Sequence, residues 1–200
     1  MKTYYIKKTE ITNVAVQSPE WEKANVAEIN VASPDSESAP NATARLLYSE
    51  DGITVKLETD EKPLLGREKR RNGDIYLDSC LEFFVKPFGE EKYLNFEVNP
   101  LGTLHLGFGE GRHDRTFPEI ADEVFDIKCS FENDKWQLKI YIPFAVFDEL
   151  YGKHTDTFEG NLYNCGEETE KVHFLMWNKV ESEKADFHRP EYFGKFILEK

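Results

Sequence analysis

The sequence is poor in cysteine and lacks long apolar runs. Its three cysteines, Cys80, Cys129 and Cys165, are odd in number and widely spaced, which argues against a disulfide framework and against a closed zinc site. This cysteine usage is typical of a reducing compartment. No stretch approaches the roughly 20 consecutive apolar residues that a membrane-spanning helix requires.

Positive charge is also in deficit. Lys and Arg total 25 against 38 Asp and Glu, which gives a formal net charge of −13. Such a charge repels phosphate backbones and anionic membrane surfaces, so nucleic acid and lipid headgroups are poor candidates for partners. The opening residues, MKTYYIKKTEITNV, contain no apolar segment of signal-peptide length. We expect a cytoplasmic protein if the chain is complete, and a secreted or periplasmic one if it is a mature form or a cut piece.

Alternation of apolar and polar residues with period two dominates the chain. ARLLYSEDGITVKLE and VFDIKCSFENDKWQLKIYIPF each predict two strands around a short turn. Helical pattern is scarce, with PFAVFDELYG the best candidate and PEWEKA a second, single-turn one. We therefore predict one all-β domain over residues 1–200, a two-sheet antiparallel β-sandwich of jelly-roll type with one or two short helices.

Three long irregular segments interrupt the strands, at residues 61–74, 109–123 and 178–194. All three are rich in charged residues together with Gly or Pro. Loops of this length in a compact domain are commonly binding elements or lids. We expect the three segments to form the rim of a binding site.

The hairpin YLDSCLEFFVKPFGEEKYLNFEVN, residues 76–99, carries one glutamate in the middle of each strand. Alternation turns the flanking apolar residues inward and leaves Glu82 and Glu97 on the other face, directly opposed if Lys86 pairs with Tyr93. The next run, TLHLGF, adds His105 to that face.

Carboxylates, amides, an imidazole and aromatic rings on one sheet face suit a hydroxyl-rich ligand. Sugars require hydrogen-bonding groups for their hydroxyls and flat rings for their C–H faces. A solvated sheet face would carry similar polar residues, so both interpretations remain open.

At these residues the chain resembles the family 9 carbohydrate-binding modules and their family 9-like branch, found with bacterial enzymes that degrade polysaccharides related to xylan and cellulose. The resemblance rests on YLDSCLEFFV, then YLNFEVNPLGTLHLGFG, then HFLMWNKV followed by DFHRPEYFGKFILE. It implies a β-sandwich that binds sugar without catalysis. It also implies an oligo- or polysaccharide partner, and a separate or fused glycoside hydrolase.

In that family two aromatic side chains enclose a sugar beside charged and amide residues. The resemblance places these aromatics at Tyr76 and Phe187, and the motif glutamate at Glu82. An arginine that contacts sugar in the founding modules corresponds to Glu97, which reverses the charge and removes every donor. The full set of expected ligand-binding residues is Tyr76, Glu82, Glu97, Asn99, His105, Tyr163, Trp177 and Phe187.

Two other functions remain open. Glu82 and Glu97 could form the acid and nucleophile of a glycoside hydrolase. Related sandwiches bind haem, for which Met176 and His105, His173 or His188 are available, although alternation favours a core role for Met176.

Two further groups of residues have weaker interpretations. Arg112, His113 and Arg115 could contact an acidic sugar, but a solvated charge cluster is the simpler interpretation. No cofactor is required, although the family often holds structural calcium. The acidic positions Glu50, Asp51, Asp60, Asp122 and Glu123 offer oxygen ligands for it, without calcium-loop spacing.

Overall fold

The computed structural model describes all 200 residues, and its regular structure is mostly β-strand. The strands are β1 (Thr3–Lys8), β2 (Ala27–Glu28), β3 (Val31–Ala32), β4 (Ala42–Tyr48), β5 (Gly52–Thr59), β6 (Ser79–Pro87), β7 (Tyr93–Val98), β8 (Leu104–Gly109), β9 (Arg115–Thr116), β10 (Lys128–Glu132), β11 (Lys135–Pro143), β12 (Thr157–Gly166), β13 (His173–Met176) and β14 (Gly194–Glu199).

The single α-helix, α1 (Phe144–Tyr151), lies where the sequence predicts it. Gly152 ends it in the left-handed region, at φ 74°, where its N–H donates to the carbonyl of Asp148. The other helical pieces are short 3₁₀ turns at Pro19–Lys23, Ile75–Leu77, Asp122–Phe125 and Pro190–Tyr192. None of these helices has the length and apolar character needed to cross a bilayer.

The strands form one continuous curled sheet, in the order β10-β11-β5-β4-β1-β14-β12-β6-β7-β8-β9. Neighbours in this order are antiparallel except at β1, which pairs in parallel with both β14 and β4. The sheet wraps over itself as a β-sandwich, so the predicted fold class is confirmed. The two halves are not separate sheets, because β1 joins them.

The hairpins predicted from ARLLYSEDGITVKLE and from VFDIKCSFENDKWQLKIYIPF both form. β4 pairs with β5, and β10 pairs with β11. The second hairpin turns at Asn133 and Asp134, with φ values of 52° and 62°. Asn and Asp tolerate this left-handed conformation better than other residues with side chains, which explains the choice of residues at a tight turn.

The inward face of β6, β7 and β8 enters the main hydrophobic core. Leu81, Phe83 and Val85 on β6 pack with Leu94, Phe96 and Val98 on β7, as predicted, within a cluster of 34 buried residues. Each such side chain contributes roughly 1.5–3 kcal/mol by leaving water. The core therefore sets the register that positions every residue on the opposite face.

The opposite face is covered by protein, not solvated. A second cluster of ten buried residues includes Phe84, Tyr93 and Tyr163 from the sheet, with Phe187 and Phe193 from the segment 178–194. This packing covers the face, and Glu82 and Glu97 are only 2% and 4% exposed. The alternative of a wet sheet face is therefore wrong. The apolar residues of the covering segment exclude the solvent that alternation alone would predict.

Candidate functional site

A cavity of about 640 Å³ lies between this covered face and its covering segment. It brings together five residues predicted from the sequence. They are Tyr76, Glu82, Glu97, His105 and Phe187. Its walls also come from two of the three segments expected to form a rim, 109–123 and 178–194. The third, 61–74, contributes no lining residue.

The two glutamates are direct cross-strand partners, Glu82 on β6 and Glu97 on β7, as the sequence register predicted. The amide of Asn95 donates to Glu97 Oε1 at 2.7 Å. The thiol of Cys165 donates to Glu82 Oε1 at 3.1 Å. Burial, reinforced by the charge of Glu97, raises the pKa of Glu82 well above its usual value. A carboxyl that keeps its proton can donate one hydrogen bond as well as accept others.

His105 follows Glu97 across the next strand pair, also as predicted. Its Nδ1 lies 3.1 Å from the carbonyl oxygen of Gly73. Its ring meets that of Phe117 edge to face, with centroids 5.4 Å apart. Because His105 is half-buried at the cavity wall, its second ring nitrogen remains available to a ligand.

The two proposed stacking rings differ in how firmly they are held. Phe187 is buried and stacks on Tyr163, with centroids 4.0 Å apart and planes 9° apart. The hydroxyl of Tyr163 also donates to the carbonyl of Phe187 at 3.0 Å. Tyr76, in the turn Ile75–Leu77, is 41% exposed. One ring is therefore fixed, and the other is free to adjust to a ligand.

Tyr163, Asn99 and Trp177 do not line the cavity. Tyr163 lies beneath Phe187 and supports it. Asn99 is fully buried and holds the β7–β8 turn, because its Oδ1 accepts from the N–H groups of Leu101 and Thr103, both at 3.1 Å. Trp177 packs against Phe196 in the main core, at 4.9 Å between centroids. Their placement corrects the assignment of all three as direct contacts.

The interpretation of Arg112, His113 and Arg115 as a solvated charge cluster holds only in part. Arg112 and Arg115 both line the cavity, and Arg112 pairs with Asp186 at 2.9 Å. Arg112 and His113 are exposed, as a solvated cluster requires, but Arg115 is half-buried. Guanidinium groups therefore reach the cavity from the segment 109–123, although Glu97 occupies the position of the family's arginine.

Arg115 is a structural part of the wall. Its guanidinium carbon lies 4.3 Å from the centre of the Tyr93 ring. It also donates to Asn95 Oδ1 and to the carbonyl of Gly111, the latter at 3.0 Å. A Cβ atom on Gly107 would lie 2.8 Å from Nε of Arg115, so the glycine makes room for this packing. Arg115, Asn95 and Glu97 thus form one connected chain of hydrogen bonds.

A second cavity histidine, His188, is neutral. Burial and the charges of Arg112 and Arg115 lower the pKa of His188 to about 3. Burial also raises the pKa of Tyr93 to about 12, so its hydroxyl keeps its proton, and it shares a hydrogen bond with Nδ1 of His188 at 2.7 Å. The sequence offered no signal for this pair, because the two residues are distant in the chain.

The acidic residues considered for calcium do not share one site. Glu50 pairs with Lys8, and Asp122 pairs with Arg71. Asp51 accepts from Thr12, and Asp60 accepts from Asn41. These four carboxylates therefore have separate partners and do not converge on one oxygen cage.

Met176, the methionine considered for haem, does not line the cavity that holds His105 and His188. Met176 is buried in the second cluster, as predicted for a core methionine, and its sulfur accepts from the N–H of Val180 at 3.1 Å. His173 is engaged with Glu61 at 3.2 Å. Neither of the two main cavities is lined by Met176.

A family model described as carbohydrate-binding family 9 matches residues 12–198. The chain belongs to carbohydrate-binding family 9. This is a family of non-catalytic binding modules, and the sequence resemblance is confirmed. Among curated proteins, none matches the chain in sequence.

Solved structures share the family 9 fold. A Bacteroides uniformis ATCC 8492 protein, described provisionally as carbohydrate-binding, has 25% identity and a TM-score of 0.82, with 99% of each chain covered. A family 9 module from Caldicellulosiruptor kristjanssonii in complex with cellotriose has 14% identity and a TM-score of 0.69, covering 98% of this chain and 93% of that one. The module from that organism in complex with glucose has 13% identity and a TM-score of 0.70, covering 99% and 96%.

Proposed function

We propose that residues 1–200 act as one binding module that holds a saccharide, without catalysis, in the cavity between Tyr76, Phe187 and the Glu82–Glu97 pair. The observation that carries this proposal is the convergence of five sequence-predicted residues on one cavity of about 640 Å³ in a family 9 chain. A volume of this size accommodates a small oligosaccharide.

The cavity offers each type of contact that a sugar needs. The rings of Tyr76 and Phe187 provide apolar surfaces for the C–H faces. Protonated Glu82 donates, Glu97 accepts, and Arg112 supplies further donors for hydroxyl groups. Each contact contributes about 1 kcal/mol after desolvation. We therefore expect affinities roughly in the micromolar to millimolar range.

The ligands to test first are glucose and cello-oligosaccharides, because the Caldicellulosiruptor kristjanssonii modules are described in complex with glucose and cellotriose. Xylo-oligosaccharides form the second set. The proposed setting is polysaccharide degradation beside a separate or fused glycoside hydrolase. The proposed contacts need no cofactor, so added calcium should leave affinity unchanged.

Calorimetric titration tests the site. Phe187→Ala and Tyr76→Ala should each weaken binding about fivefold or more, because each removes one stacking surface. Phe88→Ala and Tyr5→Ala are matched controls, since these rings are 49% and 51% exposed and do not line the cavity. Equal affinity in all four variants would place the ligand elsewhere.

One observation favours a second candidate function, glycoside hydrolysis. Two opposed carboxyls, one of which holds its proton, are the elements of an acid and nucleophile pair. Release of reducing sugar from the oligosaccharides that bind, abolished by Glu82→Gln, would replace the binding proposal. Binding of these oligosaccharides without release of reducing sugar would support the binding proposal.

A further inference from the structure

Two thiols and a carboxyl group meet at the floor of the cavity. The side chains of Cys80, Glu82 and Cys165 are all buried, and their ligating atoms all lie within 4.8 Å of one another. The third cysteine, Cys129, lies apart from them on β10 and is half-buried beside the carbonyl of Asn99.

Strand geometry fixes this arrangement. Cys80 on β6 is the direct cross-strand partner of Cys165 on β12. Glu82 lies two residues further along β6, so its side chain points to the same face. Because both strands are central in the sheet, all three ligand atoms are held in place without help from a flexible loop.

We propose that Cys80, Cys165 and Glu82 form a binding site for one thiophilic divalent cation of the zinc and cadmium type. Two sulfur ligands select soft or borderline cations over calcium and magnesium, which prefer oxygen. Three protein ligands leave one tetrahedral position open, as in zinc sites that keep an exchangeable ligand.

The open position faces the cavity. Glu82 and Cys165 line the cavity, whereas Cys80 does not. A cation can therefore enter through the cavity and reach the two outer ligands first. Its fourth ligand is water or a hydroxyl group drawn from the cavity.

Binding of the cation releases protons from its ligands. The cation replaces the two thiol protons and the carboxyl proton of Glu82, so one divalent ion enters as up to three protons leave. The local site then carries one net negative charge. The cation thus takes the place of the proton beside Glu97, whose carboxylate lies directly across the strand pair.

This inference does not depend on sugar binding. The site requires only the two facing strands, and a cation would bind whether or not the cavity accepts a saccharide. Titration with a metal in the absence of sugar therefore tests it separately from the proposed function.

Cadmium is the best probe, because its thiolate complexes absorb in the ultraviolet. Reduced, chelator-treated protein, kept free of oxygen, should bind one equivalent and develop a sulfur-to-cadmium charge-transfer band. Zinc in large excess should compete with cadmium and reduce the band, whereas calcium and magnesium should not. A pH indicator in weak buffer should report the released protons.

Variants locate the site. Cys80→Ser and Cys165→Ser should abolish the band, and Glu82→Gln should weaken affinity by about tenfold or more. Cys129→Ser makes the same atom change outside the cluster and should leave stoichiometry and affinity intact. Circular dichroism and thermal melting establish that each variant is folded, and Glu82→Gln keeps both thiols if a serine variant fails to fold.

Several results would overturn the proposal. They are the absence of a band with reduced protein, a band that is lost equally in Cys129→Ser, and unchanged affinity in Glu82→Gln. Mass spectrometry adds a further one, namely a Cys80–Cys165 disulfide in a protein whose reduced form binds no cadmium.

Discussion

The two faces of strands β6, β7 and β12 are equally buried but chemically different. The inner face carries Leu81, Phe83, Phe96 and Leu162 in the main core. The outer face carries aromatic residues among thiols, amides and the Glu82–Glu97 pair, and it borders the cavity. Burial alone therefore does not separate structural from functional residues. The polar groups gathered around a hollow distinguish the proposed binding face.

The largest expected effect lies on the inner face. Phe83→Ala should lower the free energy of unfolding by about 3–5 kcal/mol, because it leaves a cavity in the main core. Denaturant unfolding measures the loss. Phe88→Ala, which removes an exposed ring at the hairpin turn, should change stability by less than about 0.5 kcal/mol. A similar small loss for Phe83→Ala would erase the distinction between the two positions.

On the outer face, Arg115→Met should cost about 1–3 kcal/mol. The change leaves the buried Oδ1 of Asn95 without its donor and removes the guanidinium from the Tyr93 ring. Arg112→Met is the matched control, since Arg112 is exposed and makes one ion pair, with Asp186. Equal losses in the two variants, measured by thermal and denaturant unfolding, would show that Arg115 does not hold the wall.

The inner face has one titrating residue at its end, His173, which lies 3.2 Å from Glu61, and Glu61 also accepts from Asn164. Burial alone would lower the pKa of His173, but the hydrogen bond and charge of Glu61 outweigh it and raise that pKa. A raised pKa stabilises the fold fully below the unfolded value of about 6.5 and loses this contribution as pH rises through the folded value.

We therefore expect wild-type protein to lose stability, relative to His173→Gln, between about pH 6 and about pH 9. Denaturant unfolding at the two pH values measures the difference. His113→Gln, a change at an exposed histidine, should behave as wild type. A constant difference between wild type and His173→Gln across this range would mean that the pair does not titrate there.

The smallest stability effect should come from Tyr76→Ala, within about 0.5 kcal/mol of wild type, because the ring is 41% exposed. Thermal unfolding checks this. Combined with the expected loss of saccharide affinity, it would separate binding from stability within the outer face. A loss of several kcal/mol would instead identify Tyr76 as a structural residue.

The sequence predicted strands and registers well because both depend on local pattern. Period-two alternation and a short turn were sufficient to oppose Glu82 and Glu97 and to place His105 beside Glu97. Asn99 was assigned to the site by face alone, whereas its actual hydrogen bonds belong to the turn that follows it.

Features that depend on distant segments could not be predicted. Alternation does not tell which strands are neighbours, so the pairing of Cys80 with Cys165 was invisible. The cover over the outer face depends on Val180, Phe187 and Phe193, whose spacing follows no regular period. Arg115 looked solvated because nothing in the sequence indicated that the Tyr93 ring would lie beneath it.

The parallel pairing of β1 has a consequence for the order of folding. Residues 3–7 pair with residues 195–199 on one side, and residues 7 and 8 pair with β4 on the other. A segment that is synthesised early must therefore wait for a late one before the curl can close. Such distant pairing is entropically costly and slow, so the edge of β1 that later pairs with β14 stays open to misassembly until the last strand has been synthesised.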